Sequence, residues 1–144
     1  MVDWEEFSHG VFLVNVLGIV YNPAMKKILI AERRDDKHVK ELTWVFPGGR
    51  IKYDRDIEEH FKDVIKEKVG VEVKEEEFVF ARTYTERRDF LSIYLLCVTD
   101  DTEAKPLKFY DVKWIKPTDV KKYFTTSLHP KLYEFLEKLE KEGL

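Results

Sequence analysis

The feature that most constrains the fold is a short unit in which a strand is followed by two glycines and then by a helix. Residues 44–46, Trp-Val-Phe, predict a strand that ends at Pro47, and Gly48 and Gly49 follow directly. Proline removes a backbone donor, and glycine adopts backbone conformations that other residues avoid. The sequence therefore predicts a turn with exposed backbone groups at the end of this strand.

A capped helix follows the predicted turn within a few residues. Asp56 is placed to cap its N-terminus, Glu59 completes a capping box three residues later, and Gly70 suits the C-terminal cap. Apolar residues recur between these caps at helical spacing, at Ile57, Phe61, Val64 and Ile65. Carboxylates on this helix would face back toward the glycines, and oxygen ligands gathered in this way suit Mg²⁺ or Mn²⁺ beside a diphosphate.

The rest of the chain predicts strands with helices placed between them at irregular intervals. Strands are expected over residues 11–20, 28–32, 71–73, 78–84, 90–98 and 107–115. The charged segment 85–89 links two of them as a hairpin, Pro117 begins a short helical turn, and a closing helix starts near Pro130. The pattern predicts an α/β fold with a mixed sheet, and no linker-like stretch divides residues 1–144, so we expect one domain.

Composition excludes several classes of protein. Charged residues make up 37% of the chain but the net charge is only -3, which argues against a nucleic-acid partner. The longest apolar stretch, residues 11–20, is broken by Asn15 and is too short to span a bilayer, so no membrane partner is expected. Cys97 stands alone inside an apolar run, which predicts a buried thiol and a cytoplasmic protein. The absence of Gln and the abundance of Lys and Glu are typical of thermophilic composition.

The strand, glycines and helix together resemble the Nudix box, whose usual form is G-x5-E-x7-R-E-U-x-E-E-x-G-U, with U a bulky apolar residue. Gly49 matches the first glycine, Ile65 the apolar position, Glu67 the first glutamate of the late pair, and Gly70-Val71 the ending. The run Asp-Val-Lys-Trp-Ile at residues 111–115 resembles a late strand of the family. The resemblance implies a Nudix-type α/β/α sandwich that hydrolyses a nucleoside diphosphate linked to another moiety, with Mg²⁺ or Mn²⁺ as cofactor. Related proteins are often dimers, so it also implies a homodimer.

Four box positions depart from the usual form. Arg55 stands in place of the loop glutamate, Asp63 in place of the arginine, Val64 in place of the next glutamate, and Lys68 in place of the last one. Only Glu67 remains from the glutamates of the motif. Asp63 and Glu67 lie four residues apart and form either a shifted carboxylate pair or a solvated face paired with neighbouring lysines.

Within the family, the residues around the double glycine are most similar to GDP-mannose mannosyl hydrolases, which implies a nucleotide sugar as substrate. Arg50 matches an arginine that those enzymes use after the double glycine. Their helix glutamate and their late histidine fall at Lys68 and near Phe109, so neither is kept. The resemblance assigns the metal to Glu67 and the carbonyl of Gly49, and it assigns catalysis to Glu67 and Arg50. The shifted carboxylate pair adds Asp63 as a further candidate metal ligand.

Further substrate contacts are expected from the segment before the box. Arg33, Arg34 and His38 would approach a ligand in this fold, His38 as a candidate general base. The alternative is that the two arginines pair with Asp35 and Asp36 on the surface.

Two functions other than hydrolysis stay open. Val64 and Lys68 replace metal ligands with an apolar side chain and an ammonium, which favours a Nudix-fold module that binds a nucleotide without cleaving it. In such a module Lys68 would contact phosphate in place of the cation. A protein-interaction scaffold with an empty cleft is the third possibility.

Overall fold

The structure, a computed structural model, describes residues 3–34, 43–125 and 127–144. In these ranges it contains β1 (Leu13–Asn22), β2 (Lys27–Glu32), β3 (Trp44–Val45), β4 (Gly48–Arg50), α1 (Ile57–Val69), β5 (Glu75–Thr83), β6 (Phe90–Val98), β7 (Asp111–Ile115), α2 (Val120–Tyr123) and α3 (Pro130–Glu142). Short 3-10 helices cover Trp4–Phe7 and Pro117–Asp119. Among the described residues, no helix is long and apolar enough to cross a bilayer.

The strands form one mixed sheet, as predicted. Its main path runs β3-β2-β1-β6-β5, β4 pairs with β1, and β7 pairs with β2. β1 and β6 are parallel, whereas the other pairs are antiparallel. β5 and β6 form the predicted hairpin, so its charged connection lies at one end of the sheet.

Helices cover both faces of the sheet because β1 alternates its buried side chains. Val16 and Val20 belong to a core cluster that includes Phe61 and Ile65 of α1. Ile19 and Tyr21 belong to a second cluster, which includes Leu132 and Leu136 of α3. Side chains two residues apart in a strand point to the same face. The α/β/α arrangement implied by the sequence is therefore confirmed.

The ends of α1 fall where its sequence predicts, although among the described residues no hydrogen bond of the Glu59 side chain completes the predicted capping box. The Asp56 side chain accepts from the N–H of Glu58 at 3.0 Å, and Gly70 adopts the left-handed conformation with φ 69°. The Gly70 N–H donates to the carbonyl of Lys66 at 2.9 Å. These caps fix where α1 begins and ends, and so they fix which residues reach the end of β4.

Some strand predictions were wrong at their bounds. Residues 71–73 form no strand, and Val71 is instead fully buried in the cluster beside α1. Its apolar character reflects packing under the helix rather than strand pairing. β5 starts earlier than predicted, at Glu75, because charged side chains are tolerated along the exposed face of an edge strand. Residues 107–110 also lie outside the last strand, which begins at Asp111.

Candidate functional site

The double glycine lies in a strand and not in the predicted turn. Gly48 and Gly49 belong to β4, which pairs antiparallel with β1 through Leu17 and Val16, and neither glycine has a positive φ. A Cβ added to Gly48 would collide with the carbonyl oxygen of Val16 and lie 2.9 Å from the Cα of Leu17. Glycine is needed here because the two strands approach too closely for a side chain.

Two of the box departures contact each other. Arg55 Nη2 donates to Asp63 Oδ2 at 2.6 Å, and both side chains are exposed. The positions that usually carry glutamate and arginine thus carry arginine and aspartate, and the pair keeps its opposite charges in reversed order. The Asp63 hydrogen bond raises the pKa of Arg55. Asp63 is therefore committed to a structural ion pair.

The other two departures from the box, Val64 and Lys68, have different surroundings. Val64 is buried in the core cluster beneath α1, where a carboxylate would lose its hydration. Lys68 is half-buried, and its Nζ donates to the carbonyl oxygen of Gly48 at 2.6 Å. A Cβ added to Gly49 would lie 2.6 Å from the same Nζ. The ammonium of Lys68 is thus packed directly against the double glycine.

The electrostatic surroundings of this ammonium are unfavourable to its charge. Burial lowers the pKa of Lys68, and the charges of Arg33 and Lys108 lower it as well, whereas Glu67 raises it. An anion bound beside Lys68 would reverse this imbalance.

A cavity of about 790 Å³ opens at this point. Its volume falls in the range of small-molecule sites. Its positively charged lining residues are Arg33, Arg34, Arg50, Lys68, Arg87 and Lys108. Glu86 is the only acidic residue in its lining among those described. The cavity is suited to an anionic ligand.

A second group of lining residues is apolar and aromatic. The ring of Phe46 makes edge-to-face contacts with Tyr94 and Phe124, at centroid distances of 6.0 and 4.9 Å. The other apolar and aromatic lining residues include Leu17, Trp44, Val45, Phe90, Phe109 and Leu128. A flat heterocycle would find aromatic faces and edges here.

Three polar residues form a row across the neighbouring strands β4, β1 and β6. Asn15 of β1 lies opposite Arg50 of β4 on one side and Ser92 of β6 on the other, and all three line the cavity. The Tyr84 hydroxyl lies 2.9 Å from the Ser92 hydroxyl, which fixes its orientation. Small neutral groups of this kind suit the hydroxyls of a sugar.

The described residues do not fit a dication at this place. Glu67 is exposed and does not line the cavity, and Asp63 is paired with Arg55. Within residues 3–34, 43–125 and 127–144, no three His, Cys, Asp or Glu side chains are placed to hold a metal ion. The Lys68 ammonium also donates to the Gly48 carbonyl and packs against Gly49, so a positive charge already lies beside the Gly49 carbonyl that was the predicted ligand.

The structure gathers some of the predicted site residues and separates others. Arg33, Arg34, Arg50 and Gly49 all line the cavity. Arg34 also lies over the ring of Tyr110, with 5.7 Å from its guanidinium carbon to the centroid. The predicted carboxylate ligands, Glu67 and Asp63, lie outside the lining, and His38 falls outside the described residues.

Sequence reasoning missed several lining residues. Asn15 interrupts the apolar run of β1, which was a usable signal that this end of the strand faces a polar site. Lys108 reaches the cavity because its backbone N–H donates to the Lys68 carbonyl at 3.3 Å, a long-range contact that no local pattern reveals. Phe124 and Leu128 lie in the connection between α2 and α3, where the sequence carried no motif.

Known proteins resemble this chain in sequence. The model of the family described as NUDIX domain matches residues 11–139. The nucleoside triphosphatase NudI of Escherichia coli O139:H28 is 29% identical over 108 residues, which cover 66% of this chain and 77% of that protein. The protein of the same name from Shigella flexneri matches to the same extent.

Solved structures resemble it in fold. The NUDIX domain of Shewanella oneidensis NrtR, solved in complex with ADP ribose, has a TM-score of 0.70 at 18% identity and covers 97% of this chain and 92% of its own. The MutT protein of Methanosarcina mazei Go1 has a TM-score of 0.70 at 14% identity, covering 92% and 97%. At these identities the likeness concerns the fold alone.

Proposed function

This chain belongs to the NUDIX domain family, and from that premise we propose that its cavity binds a nucleoside diphosphate derivative through the diphosphate. The observation that carries the proposal is the charge of the lining, in which six cationic side chains face one acidic residue among those described. Because the whole chain has a net charge of -3, this positive charge is a local property of the site.

The arginines differ in how free they are to bind phosphate. Arg87 is held by Asp89 through two hydrogen bonds of 2.8 Å. Arg50 is exposed and has no ion-pair or hydrogen-bond partner among the described residues. A guanidinium presents two parallel N–H groups to a phosphate oxygen pair. Arg50 is therefore the side chain that we assign to the diphosphate, with Arg33 and Arg34 beside it.

The nucleoside would occupy the aromatic part of the cavity. The half-buried ring of Phe124, packed against the buried ring of Phe46, offers an aromatic contact for the base, and Asn15 and Ser92 offer partners for sugar hydroxyls. A nucleotide sugar would place its diphosphate in the cationic part of the cavity and its base in the aromatic part. We propose a nucleotide sugar as the preferred ligand.

Titration calorimetry with ADP-ribose, GDP-mannose, ADP and ATP tests the proposal. We expect binding in the micromolar range by at least one compound, and Arg50→Ala should weaken it about 10- to 100-fold. Arg55→Ala is the matched control, because Arg55 is exposed and paired with Asp63 rather than placed in the cavity. No binding across the panel, or equal losses in both variants, would remove the proposal.

Hydrolysis of the same ligand is the second candidate function. It is favoured by the likeness to nucleoside triphosphatases. Glu67 keeps one glutamate of the box, but its exposed side chain lies outside the cavity lining. In this case Arg50 would offset the negative charge that develops on the leaving diphosphate. Product analysis by chromatography, with Mg²⁺ and with Mn²⁺, tests it. Turnover that is lost in Glu67→Gln supports hydrolysis, and an absence of product with a ligand that binds contradicts it.

The homodimer stays a prediction. Sedimentation velocity, at several protein concentrations with and without ADP-ribose, measures the mass directly. A monomer at every concentration would contradict it.

A further inference from the structure

The side chain of Lys68 is held in the cationic part of the cavity, where we place the diphosphate. Its Nζ lies 2.6 Å from the Gly48 carbonyl oxygen, and the missing side chain of Gly49 makes room for it. Because Lys68 is in the last turn of α1 and Gly48 is in β4, the contact joins the helix to the strand. The position of the ammonium is therefore set by two elements and not by the side chain alone.

The hydrogen-bonding capacity of this ammonium is not exhausted. An ammonium carries three N–H donors and no acceptor. Among the described residues, the Gly48 carbonyl is the only acceptor within hydrogen-bond distance of Lys68 Nζ. Two donors remain for a ligand in the cavity that Lys68 lines.

The charges around Lys68 select an anion and disfavour a cation. Arg33 and Lys108 are close enough to act on the charge of Lys68, and Arg50 lines the same cavity. Glu67 is the acidic neighbour on α1, but its side chain is exposed and outside the lining. A dication entering here would meet an ammonium and three further cations, whereas a phosphate would be attracted by all of them.

We infer that Lys68 acts as a tethered cation that takes the place of a divalent metal ion, so that the cavity binds a diphosphate without metal. This inference rests on the proposed function, since it names how the same site holds the same ligand. It explains why a lysine is compatible with the box helix: one fixed positive charge replaces an exchangeable ion. Such a site would not require Mg²⁺ to bind a diphosphate.

Metal dependence of binding tests the inference on the unaltered protein. Calorimetry with ADP-ribose and with inorganic pyrophosphate would be run once in EDTA and once in Mg²⁺. We expect the affinity for either ligand to be no higher in Mg²⁺ than in EDTA, and the affinity for pyrophosphate to be lower in Mg²⁺ because the ion chelates it in solution. Affinity that is at least about tenfold higher in Mg²⁺ would overturn the inference and leave the proposed function standing. Absence of binding in both buffers would remove the proposed function together with the inference.

Substitution of Lys68 supplies the second arm. Lys68→Met keeps most of the unbranched side chain and removes its charge, and we expect the affinity for pyrophosphate to fall about 10- to 100-fold. Lys66→Met is the control, because Lys66 lies on the same helix but donates to Glu72 at 2.6 Å. Circular dichroism establishes that both variants are folded. Unchanged affinity in folded Lys68→Met would overturn the inference, as would equal losses in both variants.

Direct measurement of Mn²⁺ binding is independent of whether Lys68→Met folds. Electron paramagnetic resonance of Mn²⁺ in the presence of the wild-type protein and pyrophosphate reports bound ion. We expect the signal to be that of protein-free Mn²⁺ with pyrophosphate. Protein-bound Mn²⁺ that disappears in Glu67→Gln would overturn the inference.

Discussion

At the scale of single residues, Gly48 shows how close approach can require glycine where backbone conformation does not. A methyl group there would meet the backbone of β1 at Val16 and Leu17, and neither strand can move without breaking its pairing. We predict that Gly48→Ala lowers the free energy of unfolding by about 2 kcal/mol or more, the usual cost of overpacking. Urea denaturation measures it.

Gly49 provides the matched control for this prediction. A Cβ at Gly49 would meet the end of the Lys68 side chain, which can rotate away, rather than backbone. Gly49→Ala should therefore cost less stability than Gly48→Ala but should displace the ammonium and weaken pyrophosphate binding. Equal destabilisation by the two substitutions would contradict this account.

Glu76 is a residue whose burial opposes its charge. Both carboxylate oxygens are buried, and neither has a hydrogen-bond partner among the described residues. Burial raises the pKa of Glu76 to about 7, with Lys62 acting in the opposite direction. Because the folded pKa lies above the unfolded value of 4.5, the folded state binds the proton more tightly. The stability that protonated Glu76 contributes is present below about pH 4.5 and is lost as the pH rises through about 7.

The substitution Glu76→Gln tests this effect, because glutamine has nearly the same shape as glutamate but does not titrate. We predict that it raises the free energy of unfolding by about 1–2 kcal/mol above pH 7, and by progressively less toward about pH 5. Denaturation at a series of pH values measures the difference. Glu75→Gln on the same strand is the control, since Glu75 is exposed. A gain that does not depend on pH would show that charge burial is not its cause.

At the scale of elements, α1 carries a charge-reversed pair. Arg55 precedes the helix and Asp63 lies in its middle, so their 2.6 Å contact ties the preceding loop to α1. Because both side chains are exposed, we predict that Arg55→Glu and Asp63→Arg each lower the melting temperature only slightly, and that the double variant recovers most of the loss. A double-mutant cycle by thermal denaturation measures the coupling. If the stability losses of the two single variants add in the double variant, Arg55 and Asp63 are not coupled.

The sequence predicted α1 better than the strands around it, for a physical reason. Capping and helical spacing are local, so Asp56 and Gly70 marked the ends correctly. β4 pairs with a strand more than thirty residues earlier in the chain, and only that partner shows Gly48 to be part of a sheet. The valines at 71 and 73 led to the opposite error, because burial under a helix and burial in a strand leave the same pattern of apolar residues.

The candidate site was predicted in part for the same reason. Arg50 and Gly49 lie beside the motif that identified them, and both line the cavity. Neighbouring helix residues point about 100° apart, so the motif alone could not show that Lys68 faces the cavity while Glu67 is exposed. Lys108 and Phe124 come from distant connections and could only be found by folding the chain.

At the scale of the whole molecule, the charge of the cavity opposes the charge of the protein. The chain carries -3 overall, whereas the cavity lining is cationic. The net charge of the chain and the charge of the cavity lining predict opposite effects of salt on the affinity for an anionic ligand. If the net charge dominated, screening by salt would reduce repulsion and strengthen binding, whereas short-range attraction to the lining is weakened by the same screening.

We predict that the cavity dominates, because an anion in contact with Lys68 and Arg50 is far closer to these cations than to the acidic surface. The affinity for pyrophosphate should fall severalfold as NaCl is raised from about 0.05 M to about 0.5 M, and calorimetry in EDTA measures it without competition from metal. Adenosine, which is uncharged, is the control and should bind with little dependence on salt. Pyrophosphate affinity that rises with salt would mean that the anion does not reach the cationic lining, because only a ligand held at the outer surface would respond to the net charge.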